Sequence, residues 1–185
     1  MKELTKLRKF NELKNVYRAN SVGDRKESAA EHSWSCLILA DYFLNLTKLK
    51  INRLKVYELL IYHDVVEIET GDVNIKDTEK YKKKEGIEKK AIIKLKKHFP
   101  EILKEKVFDL FIEYKEGKTI EGRFAKAIDA LDSTTQEIDY KKDWKGWTEE
   151  FLRDAKGHLF EEFPELKKSF EKTLSFLKKE GYFEQ

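Results

Sequence analysis

Cysteine is nearly absent from this 185-residue chain: Cys36 is the only one, so no disulfide can form within it. Methionine occurs once, and proline stands at only two positions, Pro100 and Pro164. So few breakers, with eight glycines, leave long uninterrupted stretches for regular structure. Sustained alternation of apolar and polar residues is missing, which argues against a fold built on sheets. Long hydrophobic runs are missing too. The most apolar stretch, Cys36 to Leu46, is too short to span a bilayer and carries Asp41. Met1 to Phe10 is charged throughout, so no secretory leader is expected there. Nor does one sign of charge dominate: 38 Lys and Arg face 35 Asp and Glu, a formal net charge of +3. That balance makes no general case for nucleic acid or an anionic membrane. The expectation is a cytoplasmic protein with neither as a partner. Abundant Lys and Glu beside scarce Gln, Cys and Met suggest a heat-adapted source.

What is present is a 40% share of hydrophobic residues, which excludes wholesale disorder and suffices for one core. These residues recur at helical spacing. The chain is read as all-α, a single domain over residues 1–185, with six to eight helices and little or no sheet. The first helix is expected over Leu4 to Asn20, followed by a loop from Ser21 to Lys26. Ser28-Ala-Ala-Glu31 fits a capping box that opens the second helix and sets His32 in its first turn. A third helix is expected over about Asn52 to Ile68, and Gly71 to Asp77 forms a loop. A highly charged helix follows over Thr78 to Lys97. The next begins at Pro100, and Thr119 caps another. Closing helices lie within 148–180.

The stretch Ile61 to Asp72 carries the chemistry. On a continuous helix His63 and Glu67, and Asp64 and Glu67, share a face. They fall among Leu59, Leu60, Ile61, Val65 and Val66, all expected in the core. Such a polar trio is costly unless something satisfies it, and a divalent metal does so. His32, His63, Asp64 and Asp129 together make a mixed N/O donor set. That set suits Mn, Fe, Co, Ni or Mg better than a closed structural zinc site, which favours Cys. A metal there acts as a Lewis acid and acidifies its water. Glu67 is then placed to orient or deprotonate that water, or to protonate a leaving group.

Several segments now fall in order: Arg25-Lys-Glu-Ser-Ala-Ala-Glu-His-Ser33, Tyr62-His-Asp-Val-Val-Glu-Ile-Glu-Thr-Gly-Asp72, Glu113-Tyr114, and Phe124-Ala-Lys-Ala-Ile-Asp-Ala-Leu-Asp132. With these motifs the chain resembles the HD-domain superfamily of metal-dependent phosphohydrolases, and within it the small HD-domain 5′-deoxynucleotidases. The resemblance spans about residues 13–140 and implies an all-helical HD-domain bundle. It implies His32, His63, Asp64 and Asp129 as metal ligands and Glu67 as the catalytic carboxylate. It further implies a second, looser cation at Glu67, Asp72 and the Val73 carbonyl. Arg18 matches an arginine that orients the substrate phosphate, and Asp72 a residue beside the sugar. The implied substrate is a nucleoside 5′-monophosphate, and the implied assembly a homodimer. Ala19 departs from the pattern, because bacterial members often carry Trp there, and that ring bears on sugar selection.

Other residues have two readings. Arg18 can cap the end of the first helix. Arg25 and Lys126 are either substrate contacts, partners of the ligands or surface charges. Asp132 is structural or supports a ligand. The lysines at 82–84 form a solvated face or a rim that attracts anionic substrate. His98 and His158 match no motif, and the three tryptophans read as packing residues. The leading function is removal of the 5′-phosphate from (deoxy)nucleoside monophosphates. Two alternatives remain: hydrolysis of a triphosphate or cyclic nucleotide, and a metal-bound regulatory module without turnover.

Overall fold

The structure, a computed structural model, describes residues 1–184. It is predominantly helical, with one small two-stranded sheet. In chain order there are α1 (Lys2–Leu7), β1 (Tyr17–Val22), β2 (Arg25–Ser28), α2 (Ala29–Leu46), α3 (Arg53–Tyr62) and α4 (Glu67–Thr70). After these come α5 (Thr78–Lys96), α6 (Glu101–Glu116), α7 (Ile120–Thr135), α8 (Glu149–Lys156) and α9 (Pro164–Lys179). Among the described residues no helix is long and apolar enough to cross a membrane.

α7 runs through the middle, packed by α2, α3, α6 and α9. Its inward stripe of Phe124, Ala127, Ile128 and Leu131 is fully buried against Leu59 and Leu60 of α3 and Phe43 of α2. A second cluster joins Val65 and Val66 to Ile92, Leu95, Phe99 and Phe111, and docks α5 and α6 beside α4. Most helix ends follow the sequence. Ser28 and Glu31 form the full capping box, and Asn52, Asp77, Thr119 and Thr148 each accept a backbone N–H as N-cap. Gly117 ends α6 in the left-handed region at φ 61°.

Two expectations need correction. The helix expected over Leu4–Asn20 stops at Leu7, continues as a 3₁₀ turn over Arg8–Asn15, and gives way to β1. Leu7, Phe10, Leu13 and Val16 recur every third residue, which is the 3₁₀ repeat and not 3.6. β1 and β2 then pair antiparallel, and the supposed loop at Ser21–Lys26 is their hairpin. Gly23 supplies the positive φ (57°) that its two-residue turn requires. Arg18 therefore sits on a strand and does not cap a helix.

The second correction concerns the helix expected over Asn52–Ile68. It breaks after Tyr62, passes through a turn at residues 63–66 and restarts as the single turn α4. The His63 imidazole bonds the Leu60 carbonyl through Nδ1 at 2.8 Å and so occupies an acceptor of the helical ladder. The backbone tightens to i→i+3 bonds, with Val65 N donating to Tyr62 O and Glu67 N to Asp64 O. At three residues per turn Asp64 and Glu67 eclipse one another.

Candidate metal centre

His32 enters from the first turn of α2 and is completely buried. Its Nδ1 lies 2.9 Å from Asp132 Oδ2 and its Nε2 2.9 Å from Asp129 Oδ1, both carboxylates carried by α7. Ser35 Oγ donates to the other Asp132 oxygen at 2.6 Å. Asp132 thus holds Nδ1–H and turns Nε2 toward Asp129. Burial and Arg18 work against a charged ring, but the two carboxylates bonded to it raise His32 above the ordinary histidine range.

His63 approaches from the end of α3, its ring centroid 5.4 Å from that of His32. Nδ1 must donate to the Leu60 carbonyl, so in the neutral ring that a metal requires the lone pair is on Nε2. That Nε2 is buried without a hydrogen-bond partner. Asp64 Oδ2 lies 3.2 Å from it, without hydrogen-bond alignment, and 4.0 Å from His32 Nε2. Asp129 completes the set: Oδ1 faces His32 and Oδ2 accepts the Tyr114 hydroxyl at 2.7 Å. Burial disfavours charge on Asp64 and Asp129, yet the neighbouring imidazoles and Arg18 hold both carboxyls below the usual range. The ligand atoms of His32, His63 and Asp129 thus lie within 4.8 Å of one another, and Asp64 joins them through its approach to the two imidazoles. The orphaned His63 Nε2 has the lone pair a divalent cation needs, and this donor set fits one.

Cys36 also borders the centre, its ligand atom within 4.8 Å of those of His32, His63 and Asp129. Its Sγ lies 3.5 Å from His32 Nε2 and 3.7 Å from Nδ1, nearly equidistant from the two nitrogens. Burial pushes its thiol up to about 12. It packs on the imidazole as a neutral thiol.

The two carboxylates of the centre, Asp64 and Asp129, line a cleft of about 590 Å³, within the range of small-molecule sites; the two imidazoles are buried and are not part of its lining. Arg18, Glu67, Asp72, Val73 and Lys126 all line it. Arg18 Nη1 lies 3.4 Å from Asp64 Oδ2, and Nε 3.3 Å from Glu27 Oε2. Between Tyr17 and Ser21 the register slips, so β1 bulges opposite Glu27 and re-aims Arg18. Arg18 and Asn20 face the cleft, whereas Ala19 between them does not. Glu67, 1% exposed, bonds Lys84 Nζ through Oε1 at 3.2 Å, and its Oε2 is buried and unpaired. Burial and Asp64 push its carboxyl well above the usual range, against Lys84. Burial likewise raises Asp72, against Arg18 and Lys84. Lys126 Nζ is held by the Lys115 carbonyl at 2.8 Å. Arg25 does not line the cleft: it is exposed and grips Glu31 of the capping box.

The sequence did not single out Lys84, Glu27, Asn20 or Glu137, all on or beside the cleft wall. Gly23-Asp24 between two short runs is a hairpin signal that would have placed Arg18, Asn20 and Glu27. The inward turn of Lys84 leaves no such mark.

The HD domain family model matches residues 10–167. The 5′-deoxynucleotidase HDDC2 of Xenopus laevis is 29% identical over 123 residues, 64% of this chain and 58% of that protein. The human 5′-deoxynucleotidase HDDC2 is 25% identical over 138 residues, 73% of this chain and 66% of that one. These matches span less than two thirds of the relatives' length. Among solved structures, a "predicted metal-dependent phosphohydrolase" from Magnetospirillum magnetotacticum MS-1 superposes with a TM-score of 0.87 at 24% identity, covering 100% of this chain and 97% of the other. An HD-domain phosphohydrolase from Listeria innocua reaches 0.61 at 21% identity over 96% and 86%. These structural likenesses carry the fold. The family model covers most of the sequence and both histidines of the centre, and the chain belongs to the HD domain family.

Proposed function

We propose that this protein is a metal-dependent phosphohydrolase that removes the 5′-phosphate from nucleoside monophosphates, giving nucleoside and orthophosphate. The observation that carries the reading is the His63 Nε2 lone pair, buried and unsatisfied beside Asp64, with His32 and Asp129 facing the same point. His32, His63, Asp64 and Asp129 would hold Mn, Co, Mg, Ni or Fe. Glu67, Asp72 and the Val73 carbonyl would hold a second, weaker ion. A bound cation supplies Lewis acidity and a more acidic water.

The chain's own groups do the rest. Arg18, cationic and on the cleft wall, grips the phosphate oxygens with its fork of N–H donors. Asp72 lies where the sugar enters, and Lys126 adds positive charge along the wall. The oxygen of a water attacks phosphorus, the bond to the ester oxygen breaks, and the nucleoside leaves with that bonding pair. Glu67, raised by burial toward neutrality, is suited to hold the proton that the water gives up and the ester oxygen requires. The name 5′-deoxynucleotidase borne by the HDDC2 relatives supports reading deoxynucleoside monophosphates as the substrates here.

We also infer that two copies associate in the cytoplasm. Trp34, Ile38, Tyr42 and Leu46 recur every fourth residue on α2 and are 66%, 57%, 60% and 47% exposed. Such a stripe on one helix face is what a second copy covers. To test the activity, purified protein with Mn or Co is incubated with ribo- and deoxynucleoside mono-, tri- and cyclic phosphates. The reading predicts orthophosphate from the 5′-monophosphates. Pyrophosphate or triphosphate release, or no turnover at all, contradicts it.

A further inference from the structure

The lysine run at 82–84 contains one member that leaves the solvent. Lys84 projects from α5 toward α4, its side chain only 20% exposed, with Nζ 3.2 Å from Glu67 Oε1 and 3.6 Å from Glu88 Oε1. Glu88, one turn further along α5, is 2% exposed, and its other oxygen takes Lys115 Nζ of α6 at 2.6 Å. A ladder of alternating charge, Glu67–Lys84–Glu88–Lys115, thus crosses α4, α5 and α6 along one wall of the cleft. The link from Lys84 to Glu88, at 3.6 Å, is longer than a hydrogen bond, so the bonded contact of Lys84 is the one to Glu67.

Among the described residues the Glu67 side chain has no other hydrogen-bonded partner. Its Oε2 is buried and unpaired, and the acids Asp64 and Asp72 share its wall. Remove Lys84, and a carboxylate stands in a buried site with both oxygens unpaired beside like charges. Such a group turns away to find another donor. Lys84 is itself anchored: α5 is docked by Ile92 and Leu95 in the core, and Glu88 sits one turn beyond it.

We propose that Lys84 is a positioning residue: it fixes the Glu67 carboxylate by one oxygen, so that the free oxygen meets the water or the ester oxygen. This rests on the reading of Glu67 as the group that handles the proton. Lys84 acts through Glu67 and does not grip the phosphate, which is Arg18's task. The run of three lysines therefore divides: Lys82 and Lys84 line the cleft, Lys83 does not, and Lys84 alone bonds Glu67.

The test compares wild type, K84M, K84R, E67Q and the double variant K84M/E67Q. Each is loaded with Mn and assayed on 2′-deoxyadenosine 5′-monophosphate, with metal content and melting curves measured in parallel. The expected result is a kcat about 100-fold lower in K84M at nearly unchanged KM and metal content, since loss of orientation alone costs about that much. K84R regains most of the loss. Adding K84M to E67Q costs little further, because the group it positions is already gone. The inference is overturned if K84M turns over like wild type, or if its KM rises at constant kcat. It is equally overturned if the metal is lost, or if K84M costs as much in the E67Q background as alone. Should K84M not fold, a K84R enzyme that stays at the level of E67Q overturns it too. Absence of turnover in wild type is a different result: it removes the phosphohydrolase reading, and this inference with it.

Discussion

Glu67 and Asp132 are buried acids in different surroundings, Glu67 bonded to Lys84 and Asp132 to His32. Glu67 lies on the cleft wall with an unpaired oxygen, while Asp132 sits behind His32 and fixes which ring nitrogen carries the proton. Their variants should therefore fail differently. Glu67→Gln should lower turnover by about 10²- to 10⁴-fold, the usual contribution of a positioned acid or base, with the first metal retained. Steady-state kinetics beside metal analysis checks this; a fully active variant removes Glu67 from the mechanism. Asp132→Asn should instead weaken metal affinity by about 10- to 100-fold, as loss of a ligand's hydrogen-bond partner does. Competition against a coloured chelator measures it, and unchanged affinity would show that Asp132 does not orient His32.

The elements deliver these residues, and the start of α2 is the most exacting. Glu31 accepts from the Ser28 backbone and from Arg25, and the Arg25 bond, first among the causes, lowers its carboxyl to about 2. The folded value lies beneath the ordinary 4.5. Glu31's contribution is therefore whole above about pH 4.5 and drains away as pH falls toward about 2. Melting curves of Glu31→Gln across that window should be flatter than those of wild type. Ser28→Ala should cost about 1 kcal/mol of stability, and a chemical denaturation series measures it. This capping box was legible in the sequence because its two residues stand at fixed spacing beside the helix they close. The pairing of His63 with Asp64, and Asp129 three residues after Lys126, was legible for the same reason. The break after Tyr62 was not. It depends on a side chain bonding backward to the Leu60 carbonyl, a choice that the local apolar pattern does not record. The β1–β2 hairpin was missed because the repeat from Leu7 to Val16 imitates a helix. The inward turn of Lys84 was hidden because α5 is charged on nearly every side, and only its packing against α4 and α6 decides which lysine is buried.

At the scale of the whole molecule, helices from distant parts of the sequence meet at one point, and α2 serves two faces. Inward it carries His32; outward it carries the exposed stripe of Trp34, Ile38, Tyr42 and Leu46. Trp34→Glu combined with Tyr42→Glu should turn a dimer into a monomer, read by light scattering on a sizing column, while the metal stays bound. A wild type that is already monomeric would leave that stripe without a second copy. The cation itself is tested most directly by anomalous diffraction at the manganese edge, from crystals grown with Mn. One strong peak is predicted at about 2.0–2.3 Å from His32 Nε2, His63 Nε2 and the carboxylates of Asp64 and Asp129. No peak among these four residues, or a peak only elsewhere, would contradict the account.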